Sequence, residues 1–156
     1  MSKIIKFNYS NKELHKIAMD IRIKVFVDEQ KVPFEMEEEF EEECTHFLIY
    51  HRRKPIGTAR YRRTEEGIKF ERFAMLKESR GKGLGRDLMR FMLTDVYHYH
   101  QRIYLNAQVT AVDYYKKSGF VIVGSKFDEA GIDHYPMEYI AQNKLDKALE
   151  KAICRR

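Results

Sequence analysis

The hydrophobic period of this chain changes at Leu84. Just upstream, over residues 46–76, apolar residues come in short runs broken by turn-forming residues. Downstream, Leu84, Leu88, Phe91, Met92 and Val96 recur at i, i+4, i+7, i+8 and i+12, one face of a long helix. The change follows three glycines at alternate positions in SRGKGLGRDLMRF, residues 79–91, threaded with Arg80, Lys82 and Arg86. Glycine has the most conformational freedom to lose on folding, so spending three of the chain's eight here marks a special backbone requirement. A strand ending near Leu76, a glycine-rich turn and a helix beginning near Gly83 supply it: unobstructed backbone amides at the positive end of a helix form an anion pocket. The physical function is phosphate binding, with the three basic side chains adding charge. A P-loop would need GxxxxGK followed by Ser or Thr, which is absent, and a GxGxxG fingerprint would need glycine where Arg86 stands. A glycine-rich helix entry with surface charges is the plain structural alternative.

The remaining elements follow from pattern and punctuation. KIIKFNY (3–9) reads as a first strand. NKELHKIAMDIRIKVFVDEQ (11–30) places Leu14, Ile17, Ala18, Ile21 and Val25 at helical spacing, with Asn11 as N-cap. Pro33 ends this helix or starts a loop, and the Glu-rich piece after it could form a second, exposed helix. Strands are predicted at 46–51, 55–63 and 68–76, an antiparallel meander broken by RRKP and EEG. After the long helix come a strand at 102–108, a short helix at 109–118 stopped by Gly119, and strands at 120–127 and 135–141. The order is mixed α+β, with one parallel crossover through the long helix.

At 156 residues the chain is one domain by length, large enough for a core without metals or disulfides. No apolar stretch spans a bilayer, and the start lacks the pattern of a signal peptide. Cys44 and Cys154 stand alone and far apart, which reads as two reduced thiols in a cytoplasmic protein. Net charge is +5, but it is segregated: EMEEEFEEE (35–43) holds seven glutamates in nine residues, and HRRKP and RYRR follow closely. His98 and His100 are an i, i+2 pair that points apart on a helix, so no metal site is read.

The stretch RFAMLKESRGKGLGRDLM resembles the pyrophosphate-binding motif of the GNAT superfamily of acyl-CoA-dependent N-acyltransferases, with Arg80, Gly83 and Gly85 at its defining positions. YYKKSGF resembles that family's later motif, a tyrosine four residues before Gly-Phe, here Tyr115. IRIKVFVDEQKVPFE, LNAQ and AGIDHYPM look like an ElaA-like subgroup, and the element order is that of the family. The resemblance implies a single N-acetyltransferase domain over residues 1–140, with 141–156 as a C-terminal helical extension. It implies a mostly antiparallel, twisted sheet of about seven strands, one parallel pair of which splays apart, flanked by helices.

It also implies roles. Phe73, Ala74 and Met75 would offer backbone groups to the pantetheine arm of acetyl-CoA, and Arg80, Gly81, Lys82, Gly83, Leu84, Gly85 and Arg86 would cradle its phosphates. Direct transfer to an amine then proceeds mainly by positioning and desolvation. Tyr115 resembles the general acid that protonates the departing thiolate; a phenol near pKa 10 is protonated at neutral pH. The alternative is that Tyr115 fills the helix face it shares with Val112. Glu71 shares a strand face with Phe73 and Met75, where apolar surroundings would raise its carboxyl toward use as a base; pairing with a neighbouring arginine is the alternative. Asn106, at a strand end, would orient substrate or water, or satisfy loose backbone. His134 resembles a position near the acceptor, or is a hydrogen-bonded structural residue. No base beside Cys44 is legible to make it a nucleophile.

The segment after the first helix would roof the acceptor pocket, making Glu29 and Gln30 candidate acceptor contacts. The glutamate run would attract cationic amines, or is only a solvated face. In AQNKLDKALEKAICRR (141–156), Leu145, Ala148, Leu149, Ala152 and Ile153 form an apolar stripe, for docking on its own domain or on a second subunit as a homodimer. Two rivals to the enzyme reading remain: a catalytically silent acyl-CoA sensor, and nucleic-acid binding through Arg52, Arg53, Arg60, Arg62 and Arg63. The glutamate run and the absence of a nucleic-acid motif oppose the second.

Overall fold

The computed structural model describes residues 2–32 and 39–140. The predicted C-terminal extension, 141–156, and much of the glutamate run lie outside them. Among the described residues no helix is long and apolar enough to cross a membrane.

The chain starts with β1 (Ser2–Asn8) and α1 (Lys12–Arg22). Asn11 caps α1 as expected, its Oδ1 accepting from the Leu14 N–H at 3.1 Å. The helical run does not stay α-helical: Ile23–Glu29 widens into a π-helix, with the Gln30 N–H donating to Val25 O at 3.2 Å. Such wide turns are rare and favour functional places. One 3-10 turn (Glu41–Glu43) is all the regular structure that the described part of the glutamate run contains.

β2 (Thr45–His51), β3 (Lys54–Thr64) and β4 (Gly67–Met75) form the meander. A 3-10 turn (Lys77–Ser79) and the glycine loop lead into α2 (Leu84–Val96). Then come β5 (Ile103–Gln108), the short α3 (Val112–Lys117), β6 (Phe120–Ile122), β7 (Phe127–Glu129) and β8 (Ile132–Tyr139). The strand order is β1-β2-β3-β4-β5-β8-β6, with β7 also on β8. The sheet has eight strands rather than about seven, and it is mostly antiparallel with one parallel pair. The extra strand arises where a continuous run over 120–127 was expected: pairing to β8 stops at Ile122 and resumes at Phe127, and Ala130-Gly131, both at positive φ, turn the chain back.

Two compact units divide the chain. The first holds the described residues up to Arg63 together with Phe70–Leu88, and the second holds Thr64–Lys69 and the described residues from Met89 on. In the first, Phe7, Ala18, Ile21, Val25, Phe26, Leu48 and Ala74 make a core on which Leu14, Ile17 and Leu76 pack. The helical spacing of α1 places its apolar residues there, since residues three and four apart share a face. In the second, β5 and β8 pair from Tyr104↔Glu138 to Gln108↔His134. The carbonyl of Arg102 accepts from the Ile68 N–H at 2.7 Å. Gly67 next to it sits at φ +136°, and a Cβ there would strike that same carbonyl, so only glycine admits this approach.

Candidate active site

The glycine loop links β4 to α2, the order its sequence predicted. Gly81 and Gly83 both adopt φ +79°, and an added Cβ would meet nothing within 4 Å at either. The requirement is therefore conformational, with open space where a side chain would stand. Asp87 N already donates to Gly83 O, the first closed turn of α2, so the amides before it have no intrahelical partner. α2 has thirteen residues, long enough for its dipole to favour an anion at this end. Lys82 and Arg86 are exposed. Arg80 is not waiting in solvent: its Nε donates to Met75 O at 2.9 Å, and its Nη2 reaches both oxygens of Glu29 at 3.1 and 3.0 Å. The structure thus joins one end of the proposed arm-binding strand, one loop arginine and one proposed acceptor residue. Gln30 follows at the end of the π-helix.

β4 passes through Arg72, which adopts φ +56° in mid-strand, a left-handed conformation uncommon for a non-glycine residue. Strict alternation therefore does not carry through it. Glu71 does not lie against the apolar surface expected for it. Its carboxylate stands 3.2 Å from Arg60 Nη2 and 3.1 Å from Arg62 Nε, with the side chain 7% exposed. The pairing with arginine, stated above as the alternative, is what the structure holds.

The same arginine belongs to a buried charge network that the sequence did not reveal. Glu41 is ion-paired to Arg22 at close range, and lies 3.4 Å from Arg60 Nη1, 3.2 Å from His15 Nε2 and 3.4 Å from His46 Nε2. Arg22 and Arg60 are each 1% exposed. The basic hairpin accordingly lends less to solvent than its sequence implies: Arg60 is interior, and the Arg62 guanidinium covers the Phe40 ring at 3.9 Å. Burial works against the Glu41 charge, but Arg22, Arg60 and His46 together hold its carboxyl below the usual range. Burial pushes the His46 imidazole down to about 4, against the pull of the Glu41 backbone and carboxylate. His15, Glu41 and His46 present ligand atoms within 4.8 Å of one another. The donor chemistry does not suit a metal, because Arg22 and Arg60 already neutralise the carboxylate and a divalent ion would face two guanidinium groups. Cys44 Sγ donates to Phe40 O at 3.1 Å, and burial pushes its thiol up to about 11, the state of an inert thiol.

In the second unit, Asn106 pairs with Pro136 and Gln108 with His134 across β5 and β8. Period-two alternation places all four on one sheet face, making Asn106 and His134 diagonal neighbours. Gln108, missed in the sequence, stands directly opposite His134; its alternation with Asn106 was the available signal. His134 is buried, stacks on Phe127, donates from Nδ1 to Ile132 O at 2.7 Å and turns Nε2 toward Glu129 at 3.8 Å. Tyr115 lies on α3, edge-on to Phe120 and Tyr114. Burial, helped by Tyr114, pushes its phenol well above the usual tyrosine value. Gly119 ends this helix at φ +103°.

Comparison with known proteins bears on the family and the fold. Residues 8–141 match the family model of the acetyltransferase (GNAT) domain. An uncharacterized N-acetyltransferase of Bacillus subtilis, YjcF, is 38% identical over 130 residues, covering 81% of this chain and 93% of that protein. Among solved structures, an acyl-CoA N-acyltransferase from Pseudomonas aeruginosa is 25% identical with a TM-score of 0.77, covering 90% of this chain and all (100%) of the other. Escherichia coli ElaA has the same fold, with a TM-score of 0.78 at 24% identity over 90% of this chain and 100% of its own. A glycine loop at a helix start, a strand before it with Arg72 at positive φ and a family match over residues 8–141 lead to one conclusion: the chain belongs to the GNAT acetyltransferase family.

Proposed function

We propose that the protein transfers an acetyl group from acetyl-CoA to a primary amine by direct attack within a ternary complex. The observation that carries this is the loop at the start of α2, where Gly81 and Gly83, each at φ +79°, have open space where a side chain would stand. The helix-start amides, with Lys82, Arg86 and Arg80, suit a diphosphate. Backbone groups of Phe73, Ala74 and Met75 would pair with the pantetheine arm as an added strand does, which needs no particular side chains. A fold neighbour from Elizabethkingia anophelis, 13% identical with a TM-score of 0.66, has been solved with acetyl-CoA bound.

The amine attacks the thioester carbonyl, the carbon–sulfur bond breaks, and the thiolate takes a proton from Tyr115. Its elevated pKa keeps that proton in place at neutral pH. The amine's own proton passes to solvent or to His134, on the face it shares with Asn106 and Gln108. Glu71, held by two guanidinium groups, is structural in this scheme. Glu29 would meet a cationic acceptor.

The occupied state of Glu71 also favours a second reading, a silent acyl-CoA sensor, because the base expected on β4 is engaged. Titration with coenzyme A, coupled to a thiol-release screen of acetyl-CoA against varied amines, separates the two. Enzyme activity predicts thiol release with at least one amine; binding with no release from any acceptor supports the sensor. Failure to bind coenzyme A removes both.

A further inference from the structure

We propose that Arg80 is a two-position residue that couples the coenzyme seat to the acceptor-side segment. In the free protein it clasps Glu29 and Met75; on coenzyme entry it leaves both for the diphosphate. Coenzyme binding thereby unpins the end of the π-helix and frees the Glu29 carboxylate. The inference rests on the reading of residues 80–86 as the diphosphate cradle.

One side chain covers both halves of the proposed seat. Its Nη2 is spent on Glu29 at 3.1 and 3.0 Å, and so is unavailable to phosphate oxygens. Its Nε occupies Met75 O at 2.9 Å, a carbonyl on the strand end that would receive the arm. A coenzyme lying along this strand and loop therefore competes for Arg80 twice.

The clasp is also weak enough to exchange. The two side chains are 42% and 36% exposed, so water screens their attraction, and such pairs contribute little. A diphosphate carries more charge and accepts a guanidinium in two parallel bonds. The exchange then runs toward the coenzyme.

Its mechanical consequence falls on the π-helix. Glu29 is the last residue of that segment. The turn after it hangs on the Gln30, Lys31 and Val32 N–H groups donating to Val25, Val27 and Phe26 carbonyls, with Lys31 at φ +61°. Among the described residues, the Arg80 pair ties the Glu29 side chain to a segment distant in sequence. Releasing it loosens the stretch that the sequence assigned to the acceptor.

The test is a double-mutant cycle read by calorimetric titration of coenzyme A into wild type, Glu29→Gln, Arg80→Gln and the double variant. Removing the competitor should tighten coenzyme A binding by about two- to fivefold in Glu29→Gln. The gain should vanish in the Arg80→Gln background; a gain that persists there is a general field effect and overturns the clasp. Equal or weaker binding by Glu29→Gln overturns it too. Hydrogen exchange gives an independent readout: amides of residues 28–32 should exchange faster when coenzyme A is added to wild type and already be fast in Glu29→Gln. Unchanged or slowed exchange in wild type contradicts the unpinning, and this arm decides alone if Arg80→Gln binds too weakly to titrate. A wild type that gives no binding heat at all removes the cradle reading itself, a different result from either.

Discussion

Arg60 Nη2 stands 3.2 Å from Glu71 Oε1, and Arg60 Nη1 stands 3.4 Å from Glu41 Oε1. One buried guanidinium thus joins a carboxylate on β4 to a carboxylate from the glutamate run. His46 lies directly opposite Arg60 in the β2–β3 register, which brings the imidazole to the same place. The carboxylate expected to act as a general base is held between two guanidinium groups, and four consequences of this and neighbouring features can be measured.

Glu71→Gln should destabilise the fold rather than abolish chemistry. It leaves Arg60, 1% exposed, with less negative charge than it needs, at an expected cost of about 2–3 kcal/mol. Urea unfolding should show that loss, while turnover per folded molecule stays within about threefold of wild type. A hundredfold drop in turnover with unchanged stability would restore Glu71 as the base.

Stability should fall as the medium is acidified from pH 6.5 toward 4. Burial holds the folded-state His46 pKa near 4, below its usual 6.5, so between those values the unfolded chain binds the additional proton. The contribution is complete above pH 6.5 and lost progressively below it, about 3 kcal/mol across the window. Glu41, whose folded pKa is also lowered, extends the loss below the ordinary carboxylate range. Unfolding free energies at pH 7, 5.5 and 4.5 check the slope, and His46→Gln should flatten its upper part.

Tyr115→Phe should reduce turnover about a hundredfold while leaving coenzyme A affinity nearly unchanged. Because burial raises the phenol pKa, wild type should show no alkaline loss from Tyr115 ionisation between pH 7 and 10. A pH–rate profile falling with a midpoint near 9, absent in the Phe variant, contradicts the raised pKa; turnover unchanged in the Phe variant contradicts the general-acid assignment.

Cys44 should be inert in the native state. Its thiol is pushed up to about 11 by burial, so the thiolate is scarce at neutral pH. In a Cys154→Ala background, a disulfide reagent should label the folded protein only as fast as it opens, and label it at once in denaturant. Rapid native labelling is the contrary result.

The sequence made the glycine loop legible because its signal is local: alternate glycines, basic residues and a change of period lie within one short stretch. The Asn11 cap and the Gly119 stop were legible for the same reason. The charge network was not, because it forms through pairing between distant segments. Arg22, Glu41, His46 and Arg60 meet only once β2 has registered on β3 and α1 has packed, and each reads singly as an ordinary surface residue. The π-helix escaped detection because Ile21 and Val25, four apart, continue the α-helical spacing of Leu14, Ile17 and Ala18. Arg72 misled in another way: its left-handed conformation falls within a strand whose residues otherwise alternate well, and the expected surroundings of Glu71 changed with it.

The interior ion network also shapes how this chain can diverge. Losing any one member strands an uncompensated charge out of water, whereas exchanging several together for apolar groups of similar volume is tolerated far better. Arg22, Glu41 and Arg60 are therefore bound to one another over descent. Homologues should retain the set or lack it as a block, with half-way combinations confined to proteins that have filled the gap by other means.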